Sequence, residues 1–235
     1  LSTVDLFGSG LVAGDTLVTA NFTEDQYVLD TGVTGNGSIL KSPDQPSYVY
    51  GDSVVVAAIP DIGWVFGGWT GGLSGLVNPD TLVVVSDTTV TAEFQAIPYT
   101  LTTGVTGSGS VALAPDKTTY VYGDTVIATA TADPGWEFEL WSAGLSGAEN
   151  PDTLIVAGDS TITAQLKTID YSISSSVNGN GSVAFEPDQA AYLYGDTVLA
   201  TAVPDIGWSF DSWSAGLSGV DNPDTLIVVS DSLVT

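Results

Sequence analysis

Gly63-Trp64-Val65-Phe66-Gly67-Gly68-Trp69 returns as Gly135-Trp136-Glu137-Phe138-Glu139-Leu140-Trp141, and again as Gly207-Trp208-Ser209-Phe210-Asp211-Ser212-Trp213. Successive copies are 72 residues apart. Self-similarity at a fixed period marks a repeat architecture, in which one structural unit recurs along the chain. Outward from the tryptophans the same spacing relates Tyr27, Tyr99 and Tyr171, and also Asn78-Pro79-Asp80, Asn150-Pro151-Asp152 and Asn222-Pro223-Asp224. No insertion breaks the register. At twice the spacing, Leu11-Val12-Ala13-Gly14-Asp15 stands where Ile155-Val156-Ala157-Gly158-Asp159 does. The chain therefore divides into 1–26, the C-terminal part of a preceding repeat; 27–98 and 99–170, two whole repeats; and 171–235, a repeat expected to lack its last strand. Residues 1–10 fit the pattern poorly. Thr235 matches Thr163, so counterparts of Ala164-Gln165-Leu166 fall beyond it. With both ends inside a repeat and no Met before Leu1, the expectation is a window on a longer array.

The second copy shows what one repeat builds. Tyr99, Leu101 and Thr103 alternate with Thr100, Thr102 and Gly104, the period of a half-buried strand. Gly107-Ser108-Gly109 turns the chain. A short strand over 110–113 ends at Pro115-Asp116, and Gly123-Asp124 makes a second turn. Val126, Ala128 and Ala130 face inward on the next strand, opposite Ile127, Thr129 and Thr131, residue types that suit a pleated surface. Residues 135–141 form an aromatic strand. Residues 145–151 read as loop or one helical turn. Residues 153–156 and 161–166 close the unit, with Ile162, Ala164 and Leu166 inward. No segment carries a sustained period of 3.6. The expected fold is all-β: a tandem array of small β-rich repeats, β-grasp-like or a small sandwich, strung as elongated beads. A unit this small has a modest core of its own, so its two large indoles and its neighbours matter.

Composition narrows function. Among 235 residues there are 3 Lys, no Arg, no His, no Cys and no Met, against 28 Asp and Glu, for a net charge of -25. Nucleic acids are held largely by Lys and Arg on phosphates, so a nucleic-acid partner is not expected. Anionic membrane surfaces are disfavoured for the same reason. Without His or Cys, the commonest general base, the thiol nucleophile and imidazole or thiolate metal sites are missing. No apolar run is long enough for a membrane span, so insertion is not expected. Hydrophobic residues make up 43% of the chain, enough to build cores.

The order of motifs carries a resemblance. Gly107-Ser108-Gly109-Ser110-Val111, Pro115, Tyr120-Val121-Tyr122-Gly123-Asp124, Gly135-Trp136-Glu137-Phe138-Glu139-Leu140-Trp141, Leu145-Ser146-Gly147 and Asn150-Pro151 follow one another, and Val90-Thr91-Ala92-Glu93-Phe94 closes the preceding copy. The series resembles the divergent internalin-type B-repeats of bacterial surface proteins, over nearly the whole chain except residues 1–10. The resemblance implies compact, extracellular, tandem units with a β-grasp-like fold, used as spacers or adhesive modules. It brings no catalytic or binding residues with it. The absence of Arg departs from the pattern.

Five aspartates recur in every copy: Asp44, Asp52, Asp61, Asp80 and Asp87 in the first, with counterparts 72 and 144 residues on. One reading is Ca2+, a hard ion that wants carboxylate and carbonyl oxygens. The other is turn chemistry, since each lies beside Gly, Pro or Ser. Trp69, Trp141 and Trp213 with Tyr50, Tyr122 and Tyr194 read as core or as a sugar-stacking platform, core being favoured. Glu137 and Glu139 resemble a hydrolytic carboxylate pair, but the other copies have Val65 and Gly67 or Ser209 and Asp211 there. Lys41, Lys117 and Lys167 stand at non-equivalent positions, so no Lys crosslink is built into each repeat. Asn21, Asn36 and Asn180 fit the N-glycosylation pattern, though Asn-Gly is also ordinary turn chemistry.

Three functions follow as expectations. The first is a non-catalytic, secreted or cell-surface structural array: a stalk, spacer or fibre segment whose partners are itself or neighbouring repeats. It needs no cofactor. The second is an adhesive module for a glycan or a host or cell-surface protein, with Ca2+ as a candidate requirement. The third is a filament subunit, in which Thr19-Ala20-Asn21-Phe22 of one molecule completes the third copy of another by strand addition.

Overall fold

The computed structural model describes residues 19–235. The match of residues 11–15 to a preceding copy lies outside them. Residues 19–95 form one compact unit, and Ala96–Thr235 form another.

In the first unit the strands are β1 (Leu29–Thr34), β2 (Gly37–Ser42), β3 (Ser53–Pro60), β4 (Trp64–Gly71), β5 (Asp80–Val83) and β6 (Thr88–Ala96). They make two three-stranded sheets, β1-β6-β4 and β2-β3-β5. β1 lies parallel to β6, with Leu29 opposite Thr88 and Thr34 opposite Glu93. A parallel pair needs a long crossover, and β2 to β5 supply it. β3 runs antiparallel to both its neighbours. The core lies between the sheets: Val54, Val56 and Ala58 from β3 meet Val90, Ala92 and Phe94 from β6, with Leu29, Trp69 and Leu82 around them. Each strand buries alternate residues. Val54 and Val56 have no exposed surface, while Val55 between them is 41% exposed.

The second unit begins with the same plan. Strands β7 (Leu101–Thr106), β8 (Gly109–Ala114), β9 (Thr125–Ala132), β10 (Trp136–Ala143), β11 (Asp152–Ile155) and β12 (Ser160–Thr168) form sheets β7-β12-β10 and β8-β9-β11. The inward residues are those expected: Val126, Ala128, Ala130, Ile162, Ala164 and Leu166 are all buried. Trp141 is 1% exposed, and removing roughly 200 Å² of indole from water is worth at most about 5 kcal/mol.

The third copy holds β13 (Ile173–Ser175), β14 (Gly181–Glu186), β15 (Thr197–Pro204), β16 (Asp224–Ile227) and β17 (Ser232–Val234). Sheet β14-β15-β16 matches the others, but β13-β17 has only two strands. The expectation of a missing last strand is corrected here. β17 is present, shortened, and pairs parallel to β13 from Ile173 opposite Ser232 to Ser175 opposite Val234. The strand lost is the aromatic one over 208–212. In the second copy Trp136, Glu137 and Phe138 pair with Thr168, Lys167 and Leu166, positions with no counterpart up to Thr235.

The chain is thus an all-β array of repeats. No helix occurs among the described residues, and the small sandwich is the form each copy takes. Residues 145–151 form no helical turn. The connection between the two middle strands is fixed by a buried tyrosine. Tyr48, Tyr120 and Tyr192 donate to the carbonyls of Pro43, Pro115 and Pro187, and accept from the amides of Gln45, Lys117 and Gln189. A polar tip that finds both partners lets the ring sit in the core without cost.

Candidate functional site

The recurring aspartates are distributed over turns, and three of the five are held through their side chains in every copy. Asp52, Asp124 and Asp196 accept from the amides of Val49, Val121 and Leu193, closing the turns at Gly51, Gly123 and Gly195. Asp87, Asp159 and Asp231 accept from the amides of Val28, Thr100 and Ser172 at 2.8, 2.7 and 2.7 Å, tying the last strand of each copy to its first. Asp80, Asp152 and Asp224 accept from the next amide, that of Thr81, Thr153 or Thr225. The backbone carbonyls of Asp61, Asp133 and Asp205 accept from Trp64, Trp136 and Trp208. Asp44 pairs with Lys41 at 3.3 Å, while Asp116 and Asp188 are exposed. Among the described residues no three acidic side chains gather closely enough to hold an ion.

Hydrogen bonding shifts three of these groups. The amide and then the hydroxyl of Thr100 hold Asp159 below its ordinary value of 3.8, and Ser172 does the same for Asp231. For Asp124 the Lys117 ammonium, 3.0 Å away, is the largest cause, followed by the Val121 amide. In each case the bonds favour the carboxylate.

The tryptophans that recur as Trp69, Trp141 and Trp213 are core, 3%, 1% and 4% exposed. Their indole N–H groups donate to the carbonyls of Val77, Glu149 and Asp221. They have no free face for a sugar ring, so of the two readings core, the favoured one, holds for the tryptophans, while Tyr50, Tyr122 and Tyr194 are exposed. Glu137 pairs with Lys167 across β10 and β12 at 3.3 Å, with both side chains about half exposed. The third copy has an open groove of about 250 Å³ lined by Val177, Gly181, Phe210, Trp213 and Thr235. At the matching places of the other two copies Phe94 and Leu166 press against Gly37 and Gly109.

A model of the divergent InlB B-repeat domain matches residues 27–98, 99–170 and 171–235. The chain belongs to the divergent InlB B-repeat family. No match to it appears among curated proteins.

The B-repeats share a device that the Asn-Pro motif had not disclosed. In the second copy Asp152 opposes Ala128, so two positions along the ladder Asn150 stands against Ala130. Pro151 has no N–H and the backbone leaves the sheet there. The Asn150 side chain replaces it: Oδ1 accepts from the Ala130 amide at 2.9 Å and Nδ2 donates to the Ala130 carbonyl at 2.8 Å. A carboxamide has one acceptor and donors in the geometry of a peptide group, so it extends the sheet by one pair. Asn78 on Ala58 and Asn222 on Ala202 do the same. The signal was the invariance of Asn before Pro in all three B-repeats, which Asp or Ser at a plain turn would not need.

Proposed function

We propose that this tandem B-repeat region is a structural segment of a bacterial surface protein, a stalk, spacer or fibre part outside the cell, with no catalytic activity of its own. One observation carries the reading. Three of the five recurring aspartates, and the recurring Asn before Pro, are bonded within their own repeat in every copy, closing turns and strand ends, and among the described residues the acidic side chains do not gather into a common cluster. Recurrence here is explained by folding. Purified chain applied to glycan arrays and to cell surfaces tests this: absence of saturable binding is the expected result, and a saturable, competable ligand would overturn it.

A second reading, an adhesive module for a protein partner, draws on the outer face of the antiparallel sheet. Val83, Ile155 and Ile227 occupy equivalent positions and are 52%, 67% and 60% exposed. Val55 and Ile127 stand nearby on the same faces, 41% and 44% exposed. Aliphatic groups kept at one surface place in each copy are what a repeated contact uses. Replacing Val83, Ile155 and Ile227 by Thr should abolish any cell binding while leaving the fold intact. Strand addition between molecules would set Thr19-Ala20-Asn21-Phe22 of one molecule against the third copy of another. A constant monomeric mass across concentrations would remove it.

A further inference from the structure

Gly135 and Gly207 occupy the same turn in consecutive copies, with φ of +82° and +86°. Both need glycine for that reason. Their surroundings differ. Gly207 is exposed, and a Cβ built on it would meet nothing within 4 Å. Gly135 is buried, and a Cβ there would overlap the Cβ of Tyr194 in the third copy. The carbonyl of Gly135 also accepts from the amide of Ile169, in the connection between the two copies, at 2.8 Å. So the turn touches the next repeat through its missing side chain and holds the connecting segment through its oxygen.

The part that sits on it is rigid. Tyr194 precedes Gly195-Asp196, where the Gly195 amide donates to Val228 at 2.7 Å and the Asp196 carboxylate accepts from Leu193 at 2.8 Å. Tyr194 itself is 46% exposed and outside the core. A fixed corner resting on a fixed turn loses little freedom on contact.

We propose that the Gly135 turn is a docking seat for the Tyr194 corner of the following copy, and that seat and corner join the second and third copies into one cooperatively stable body. The proposal concerns how repeats hold one another, and stands apart from whether the array serves as a spacer. It replaces the picture of independent beads for this pair. The partner the seat fits is a tyrosine directly before a Gly-Asp turn on an adjoining repeat.

Hydrogen exchange read by mass spectrometry on the whole chain tests it. Tyr194→Gly, which removes both the ring and the Cβ that meets the turn, lies in the third copy, yet it should raise exchange at Trp136 and Ile169 by about 5–30-fold, as loss of one or two kcal/mol of coupling would. Gly135→Ala should raise exchange in both copies. Gly207→Ala carries the same backbone strain with no neighbour to displace, and should leave the second copy unchanged. The proposal is overturned if Tyr194→Gly leaves the second copy's exchange as it was, or if Gly135→Ala disturbs the third copy no more than Gly207→Ala disturbs the second.

Discussion

Replacing Asn150 by Ala removes two hydrogen bonds to one residue, Ala130, which is 7% exposed. Each such bond contributes about 0.5–1.5 kcal/mol net, and an unpaired buried donor or acceptor costs more. Asn150 is half-buried, so water reaches part of the site, and the sum is about 1–3 kcal/mol. At roughly 2–4 °C per kcal/mol for a body of this size, the melting temperature of the second unit should fall by about 2–12 °C. The third copy gives an internal scale. Asn222 makes the same two bonds in an exposed setting, where water replaces them, so Asn222→Ala should cost less than Asn150→Ala. Asn150→Asp is the sharper variant. It keeps an acceptor for the Ala130 amide and sets a carboxylate oxygen against the Ala130 carbonyl, so it should destabilise at least as much as Ala. Calorimetry of the three variants decides the matter. An Asn150→Asp chain melting with wild type would refute the pseudo-peptide role, and equal losses at 150 and 222 would refute the scaling with exposure.

Other outcomes follow from the same geometry. Trp141→Ala should cost about 3–5 kcal/mol, the usual price of deleting a buried indole, seen as a large drop in denaturant midpoint. Asp159 and Asp231 have lowered values when folded. Their stabilising effect is therefore present above about pH 4 and is lost as pH falls through those lowered values. The melting difference between wild type and Asp159→Asn/Asp231→Asn should be constant at neutral pH and shrink in acid. A difference that grows on acidification would contradict the assignment. With a net charge of -25, self-repulsion opposes the compact state, and NaCl, whose screening length falls from about 10 Å at 0.1 M to about 3 Å at 1 M, should raise the melting temperature.

Much of this architecture was legible because repetition compares the chain with itself. The period gave the copies. Alternation along 126–131 and 161–166 gave strands whose inward residues are those buried. The pairing of strands was not legible. Nothing local in Leu101–Thr106 says that its partner is Ser160–Gln165, some 59 residues on and parallel; that follows from which face each strand must bury. The Asn side chain as a strand extension was hidden for a related reason, since Asn-Pro reads as a turn until the register beside it is known. The seat at Gly135 was hidden too, because the same Gly-Trp sequence stands at Gly207 with no neighbour. Its difference lies in the next copy.

The central claim is that the residues kept in every copy serve the fold of that copy, the aspartates included, so folding needs no bound ion. Thermal melting in EDTA and in millimolar CaCl2, with MgCl2 at equal ionic strength as reference, tests it most directly. The two divalent salts should give coincident curves, both displaced from EDTA only by screening. A site filled to 100 times its dissociation constant would add about 2.7 kcal/mol, so a saturable rise in melting temperature specific to Ca2+ would contradict the account.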